Sequence, residues 1–120
     1  MVRDVAEEMQ IPGKDGYLGI LPGHAPLITE LAVGEITYRK DSHTHHLSVA
    51  WGFAEVLPDK VTILAETAER ADEIDSKRAQ HAKQRAESQL GRCNTEDDFN
   101  RTAGDLKRAE TRLEVAAKKN

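Results

Sequence analysis

The hydrophobic pattern of this chain changes from a strand period to a helix period near Thr67, and this change constrains the fold more than any other feature. Before Thr67, short runs alternate apolar with polar residues, as at Val61 and Ile63. After it, the chain is rich in Ala, Glu, Lys, Arg and Gln and lacks proline, which favours helix. The sequence therefore predicts an α+β fold, with an antiparallel β sandwich over residues 1–67 and an antiparallel helical hairpin over residues 68–120.

Polar turns divide the first part into short segments. The runs 40–43 and 58–60 each separate two alternating segments and are predicted to be the turns of antiparallel hairpins. Several short strands at this spacing are typical of a sandwich or a flattened barrel.

Two apolar stripes at helical spacing predict the two helices of the second part. Gly91 is a plausible end of the first helix, and Thr95 with Asp98 resembles a capping box that opens the second. The first stripe is Ile74, Ala79, Ala82, Ala86 and Leu90, and the second is Phe99, Ala103, Leu106, Ala109, Leu113 and Ala116.

Alanine dominates both stripes, so the predicted hairpin has a thin core. A buried methyl contributes far less than the ~1.5–3 kcal/mol of a large apolar side chain. Gly104 weakens the second helix by about 1 kcal/mol relative to alanine. A hairpin of this kind depends on docking, a partner or a ligand, and it is a candidate moving part.

A run rich in glycine and proline occupies residues 11–27 and holds four of the eight glycines and three of the four prolines. Glycine permits positive φ and close backbone approach, whereas proline fixes φ and removes a donor. The run predicts a tightly turned β surface whose backbone course matters more than its side chains.

This run resembles the signature turn of the epsilon subunits of bacterial F-type (rotary, proton-translocating) ATP synthases. Residues 51–56 and 61–68 resemble the last strands of the family's β domain, and residues 74–79 match its Ile/Leu-Asp-x-x-Arg-Ala motif. The similarity covers essentially the whole chain in order. Family members usually begin with another strand before Val5, so the sequence predicts that this first strand is missing and one sheet edge is altered.

The resemblance implies a non-catalytic subunit of the central stalk. It would bind the gamma subunit, rest on the membrane rotor ring of c subunits, and couple proton flow to ATP synthesis. The hairpin would fold against the β domain or extend toward the catalytic alpha and beta subunits and block ATP hydrolysis. The implied location is the cytoplasmic face of the cell membrane, as a peripheral part of the complex.

Some family members bind ATP on the folded hairpin, and this sequence matches the residues involved. Arg78 and Arg85 lie two turns apart on one helix face, and Arg108 and Arg112 lie one turn apart on the other helix. Four guanidiniums suit a polyphosphate, with magnesium as a possible companion and no required cofactor. The implied nucleotide-binding set is Glu69, Ile74, Asp75, Arg78, Arg85, Arg108 and Arg112, with Glu69, Ile74 and Asp75 nearer the adenosine. The simpler alternative is ordinary surface ion pairing of these arginines with carboxylates such as Asp105 and Glu110.

The resemblance also implies a contact with the rotor ring through Gly16, Tyr17 and His24. Tyr17 stands where other members often carry an acidic residue, so the chemistry of that contact would differ.

Composition excludes several other classes of protein. The first part carries 5 basic and 10 acidic residues and the second 12 and 11, and none of the five aromatics lies in a basic run, so nucleic acid is not an expected partner. No apolar run approaches the ~20 residues of a membrane span, and the charged start does not resemble a signal peptide. A lone Cys93 fits a reducing compartment. These features predict a soluble, intracellular chain.

Two alternatives stay open at this level. His43 and His45, with His46, could belong to a small metal-dependent β-barrel enzyme of the cupin type, although the next glutamate, Glu55, comes late for such a site. A free-standing nucleotide-sensing module is the other alternative. A solvated hairpin turn is the simpler interpretation of the histidines.

Overall fold

The structure is a computed structural model that describes residues 6–118, and within them six β-strands precede two α-helices. The predicted α+β fold is confirmed, whereas residues 1–5 and 119–120 of the predicted domains lie outside the described residues. The strands are β1 (Glu8–Gly13), β2 (Gly16–Ile20), β3 (Leu27–Leu31), β4 (Gly34–Lys40), β5 (His43–Val56) and β6 (Val61–Arg70); a 3-10 turn (Ala71–Glu73) leads to α1 (Ser76–Leu90) and α2 (Glu96–Ala116).

All strand pairs are antiparallel, and the long strand β5 organises them. The first half of β5 pairs with β4 and its second half pairs with β3, whereas β6 pairs with β5 from Leu47 to Val56. Strand β1 pairs with β2 and also with β4, so the sheet folds over itself around a core. Ile11, Ile36, Val49 and Val56 are fully buried in that core.

The β4–β5 connection is the predicted hairpin turn. Asp41 and Ser42 both have positive φ, 51° and 67°, which is the backbone of a two-residue type I′ turn. The second predicted turn also forms, and the Leu57 N–H donates to the Lys60 carbonyl at 2.8 Å.

The last strand continues beyond Thr67, where the change of period suggested the boundary between the two parts. Glu69 and Arg70 still pair with Ser48 and Leu47 of β5, and these cross-strand contacts extend β6 to Arg70. Helix α1 then begins after Asp75, whose side chain accepts a hydrogen bond from the Arg78 N–H.

The two helices form the predicted hairpin on a seam of small residues. Gly91 ends α1 and Thr95 caps α2, its hydroxyl accepting from the Asp98 N–H at 3.1 Å. Ala86 of α1 and Ala109 of α2 are buried. The prediction for Phe99 was wrong, because it lies in the first turn of α2 at the open tip of the hairpin and is 50% exposed.

Candidate functional site

A cleft of about 800 Å³ lies between α1, α2 and the end of β6. Its lining includes all four matched arginines, Arg78, Arg85, Arg108 and Arg112, together with Glu69. A volume of this size falls within the ~300–1,000 Å³ of small-molecule sites. The structure therefore brings five of the seven predicted nucleotide-binding residues into one cavity.

The alanine seam creates the room for this cleft. Ala82 and Ala86 of α1, Ala109 of α2 and Ala68 of β6 line it. Because a methyl group fills little space, the helices and strand leave a gap where larger side chains would have packed. The feature that weakens the hairpin core is also the one that opens a site.

Arg112 is already held by the β domain. Its Nη2 donates to Glu69 Oε2 at 3.0 Å, and its Nε lies 2.8 Å from Oε1, although that N–H is not directed at an acceptor. Both side chains are largely buried, so the pair is screened much less than a surface pair. An incoming anion must therefore share this guanidinium with Glu69 or displace the carboxylate.

The other three arginines of the cleft are more available to an incoming anion than Arg112. Arg108 lies over the Trp51 ring, its Cζ 5.1 Å from the centroid, and its Nη2 is 3.7 Å from Asp105 Oδ1. Arg78 and Arg85 are exposed, and their guanidiniums form no ion pair with a carboxylate of residues 6–118. The surface-pairing alternative thus fits Arg108 in part and does not account for Arg78 and Arg85.

Ile74 and Asp75 do not line the cleft. Ile74 is buried with Ala71 and Val115 where α2 meets the β domain, and the Asp75 carboxylate caps α1. Their predicted place beside the adenosine stays a prediction, and both side chains have structural roles.

A second polar contact ties the end of α2 to the sandwich. The buried Glu35 carboxylate of β4 accepts from Lys118 Nζ at 2.7 Å and lies 2.8 Å from His46 Nδ1. Lys118, just beyond the end of α2, therefore adds to the Arg112–Glu69 and Arg108–Trp51 contacts of the helix itself. Val115 is the one fully buried large side chain of α2.

Removing Lys118 is expected to loosen the end of α2. Lys118→Ala should lower the free energy of docking by about 1 kcal/mol, since Lys118 is half exposed and its pair is partly screened. Amide hydrogen exchange of residues 109–116 should then rise about fivefold. Lys107→Ala, at an exposed lysine within α2, is the matched control, and equal exchange in the two variants would contradict a role for Lys118.

The predicted rotor-ring residues divide between two places. Gly16, with φ of 135°, and Tyr17 begin β2, and the Tyr17 hydroxyl accepts from the Glu35 N–H at 3.0 Å. His24 lies in the loop after β2, where its Nδ1 is 2.6 Å from the Ala25 carbonyl oxygen. The neighbouring Gly23 bonds Pro58 in the β5–β6 turn, so His24 and Tyr17 are at opposite ends of β2.

The predicted histidine cluster sits along the β4–β5 hairpin. His43 is exposed beside the turn, His45 stacks on Tyr38 with ring centroids 4.9 Å apart, and His46 faces Glu35. Within residues 6–118, no group of three or more His, Cys, Asp or Glu side chains is arranged to hold a metal ion. The arrangement corresponds to a polar hairpin tip.

An apolar patch lies on the exposed outer face of the sheet. Ile28, Phe53 and Leu64 come from three adjacent strands and are 72%, 56% and 70% exposed. Cross-strand pairing places Glu55 opposite Ile28 and Glu30 opposite Phe53, so carboxylates surround the patch. An exposed apolar patch with a polar rim is typical of a protein interface.

Sequence reasoning missed Trp51, Glu35 and Lys118 as contact residues of the hairpin. Lys118 lies 83 positions from Glu35, and Trp51 lies in a strand far from Arg108 in sequence. No periodicity connects residues at such separations. The positive φ that Trp51 adopts, 46°, carries no signal in a non-glycine residue.

Two family models match the chain, one over each of its two parts. Residues 1–71 match the family model described as ATP synthase, Delta/Epsilon chain, beta-sandwich domain, and residues 72–117 match the long alpha-helix domain of the same chain. The junction of the two matches falls in the 3-10 turn that directly follows β6.

Similar curated proteins carry the name ATP synthase epsilon chain. The chain is 72% identical over 90 residues to that of Koribacter versatilis, covering 75% of this chain and 63% of the relative, so it spans less than two thirds of that relative. It is 46% identical over 119 residues to that of Geotalea uraniireducens, covering 98% of this chain and 86% of the relative.

A cryo-EM structure of the Euglena gracilis mitochondrial ATP synthase contains a chain with a similar fold. The TM-score is 0.77 at 24% identity, over 93% of this chain and 70% of that one. A likeness at this identity concerns the fold alone. Among the described helices, none is long and apolar enough to cross a membrane.

Proposed function

Since this chain belongs to the delta/epsilon family of ATP synthases, we propose that it is a non-catalytic subunit of the central stalk of an F-type enzyme. The observation that carries the proposal is the arginine-lined cleft between a weakly held hairpin and the β domain. In this function, the subunit couples proton-driven rotation to ATP synthesis at the cytoplasmic face of the membrane. Its hairpin regulates ATP hydrolysis.

The gamma subunit is the proposed partner of the outer apolar patch. Ile28, Phe53 and Leu64 offer the contiguous apolar surface that a stable protein contact requires, and the carboxylates around them favour a basic rim on the partner. The proposed contact with the ring of c subunits uses the two ends of β2, where Tyr17 is also exposed.

The hairpin is the proposed regulatory element because few large apolar side chains hold it on the β domain. Its docking on the β domain uses three cation contacts and few large apolar side chains, and its internal seam is alanine. For an element held in this way, a few kcal/mol can shift the equilibrium between the docked and released positions. In the released position it would extend toward the catalytic alpha and beta subunits and oppose ATP hydrolysis.

ATP is the proposed regulatory ligand of the folded state. Arg78 and Arg85 face the cleft from α1, and Arg108 and Arg112 face it from α2, so a polyphosphate can be contacted from both helices at once. ATP that binds only the folded hairpin stabilises it by RT ln(1 + [L]/Kd), about 2.7 kcal/mol at a hundredfold excess over Kd. That increment is sufficient to reverse a marginal two-state balance.

Calorimetric titration of the full chain with ATP tests this ligand. We expect heat with one-to-one stoichiometry below millimolar ATP, and a parallel titration with magnesium shows whether the ion accompanies the nucleotide. Absence of heat at millimolar ATP, with or without magnesium, would leave the arginines as a solvated face and remove ATP from the proposal.

Truncation tests the division of labour between the two parts. Residues 1–71 retain the whole sandwich core and the apolar patch, so this fragment should still bind the gamma subunit. A complex assembled with it should hydrolyse ATP faster than one assembled with the full chain, because the inhibitory element is gone. If the fragment fails to join the complex while remaining folded, the hairpin is needed for docking and the proposed division is incorrect.

A further inference from the structure

Trp51 occupies a break in the sheet. It lies where β5 changes partner from β4 to β3, and its φ is 46°. The β5–β6 ladder pairs Ala50 with Thr67 and Gly52 with Ala65 but leaves out the pair between them. Gly52 permits the kink, because a Cβ there would clash with the Leu64 carbonyl oxygen.

The kink directs the Trp51 ring toward α2. A Cβ on Gly104 would lie 3.2 Å from Trp51 Cζ2, so the glycine lets the helix backbone approach the indole. One turn further along α2, the Arg108 guanidinium lies over the same ring. Gly104 lowers the stability of the helix, but it also allows the helix backbone to pack closely against the Trp51 ring.

We propose that Trp51 is a positioning residue for the anion-binding cleft: it seats α2 against Gly104 and holds the Arg108 guanidinium at the cleft wall. The inference rests on the proposed binding of a nucleotide polyphosphate. It assigns to β5 a direct part in a site that is otherwise built from β6 and the two helices.

The contact between Trp51 and Arg108 can position the guanidinium without competing with a phosphate for its N–H donors. A cation–π contact engages the face of the guanidinium, whereas phosphate oxygens accept from the N–H groups in its plane. Trp51 can therefore fix Arg108 without occupying its donors. Glu69 differs, because its carboxylate accepts a hydrogen bond from Arg112 Nη2 and so occupies a donor of that guanidinium.

Affinity for ATP is the first measurement. Trp51→Leu should weaken ATP binding roughly threefold to tenfold, because the cation–π contact is lost, while Trp51→Phe should recover most of the affinity. Phe99→Leu removes an exposed aromatic at the hairpin tip and serves as the matched control, with unchanged affinity expected. Equal affinity of wild type and Trp51→Leu, or tighter binding by the variant, would overturn the inference while leaving ATP binding itself established.

Fluorescence provides a second measurement that needs no ligand. Trp51 is the single tryptophan of the chain; it is 37% exposed, and its ring is partly covered by Gly104 and Arg108 of α2. Arg108→Ala should raise the acrylamide quenching constant of Trp51 and shift its emission to longer wavelength, and Arg101→Ala should change neither. If Arg108→Ala leaves quenching unchanged, the ring does not hold this arginine and the inference fails even where wild type binds no ATP.

Gly104→Ala separates positioning from helix stability. The added methyl raises helix propensity but meets the indole, so we expect weaker ATP binding in the wild-type background. In the Trp51→Leu background the same change should have little effect, because the obstructing ring is absent. If the two changes weaken ATP binding additively, the contact between Gly104 and Trp51 does not position the residues of the cleft.

Discussion

Alanine at both Arg108 and Arg112 is expected to abolish ATP binding by the isolated chain. The double change removes the two guanidiniums that α2 contributes to the cleft. Hydrogen bonds to charged groups contribute about 1.5–3 kcal/mol each, so the loss of two such contacts should raise Kd at least a hundredfold. Calorimetric titration of wild type and variant with ATP measures the difference.

The matched control uses two positions of the same helix that do not line the cleft. Arg101 pairs with Asp98 outside the cleft and Lys107 is exposed, so alanine at both positions removes the same charge without touching the site. This control should bind ATP as wild type does. Equal weakening in the two double variants would mean that net charge, and not the geometry of the cleft, governs binding.

Double substitution of the apolar patch should have the largest effect on assembly. Ile28→Lys with Phe53→Lys replaces the centre of the patch by charges, and we expect binding to the gamma subunit to weaken by more than a hundredfold. Central interface residues each contribute about 2 kcal/mol or more, and a buried lysine adds a desolvation penalty. Surface plasmon resonance with the purified gamma subunit measures the change.

The fold should tolerate these two lysines. Ile28 lies opposite Glu55 and Phe53 opposite Glu30, so each lysine gains a carboxylate across the strands. Leu21→Lys, at an exposed leucine in the β2–β3 loop, is the control and should bind the gamma subunit normally. A melting temperature close to that of wild type with unimpaired binding by Ile28→Lys/Phe53→Lys would show that the partner docks elsewhere.

Local patterns determined most of the architecture. Alternation over two residues and stripes over three to four residues reflect the geometry of a single strand or helix, so they predicted the sandwich, the hairpin and the turns at 41–42 and 58–60. The spacing of Arg78 with Arg85 and of Arg108 with Arg112 likewise identified which arginines share a helix face. Such patterns can be recognised without knowing which element packs against that face of the strand or helix.

Tertiary packing decided which of those residues are free to contact a ligand and which are engaged in contacts within the protein. Only the docking of α2 on the sandwich shows that Glu69 pairs with Arg112, that Arg108 lies over Trp51, and that Ile74 is buried outside the cleft lining. It also leaves Phe99 exposed, since a stripe at helical spacing is buried only where another element covers it. Contacts such as Glu35 with Lys118 join positions remote in sequence, and the three-dimensional path of the backbone sets them, because a periodic pattern carries no information beyond its own element.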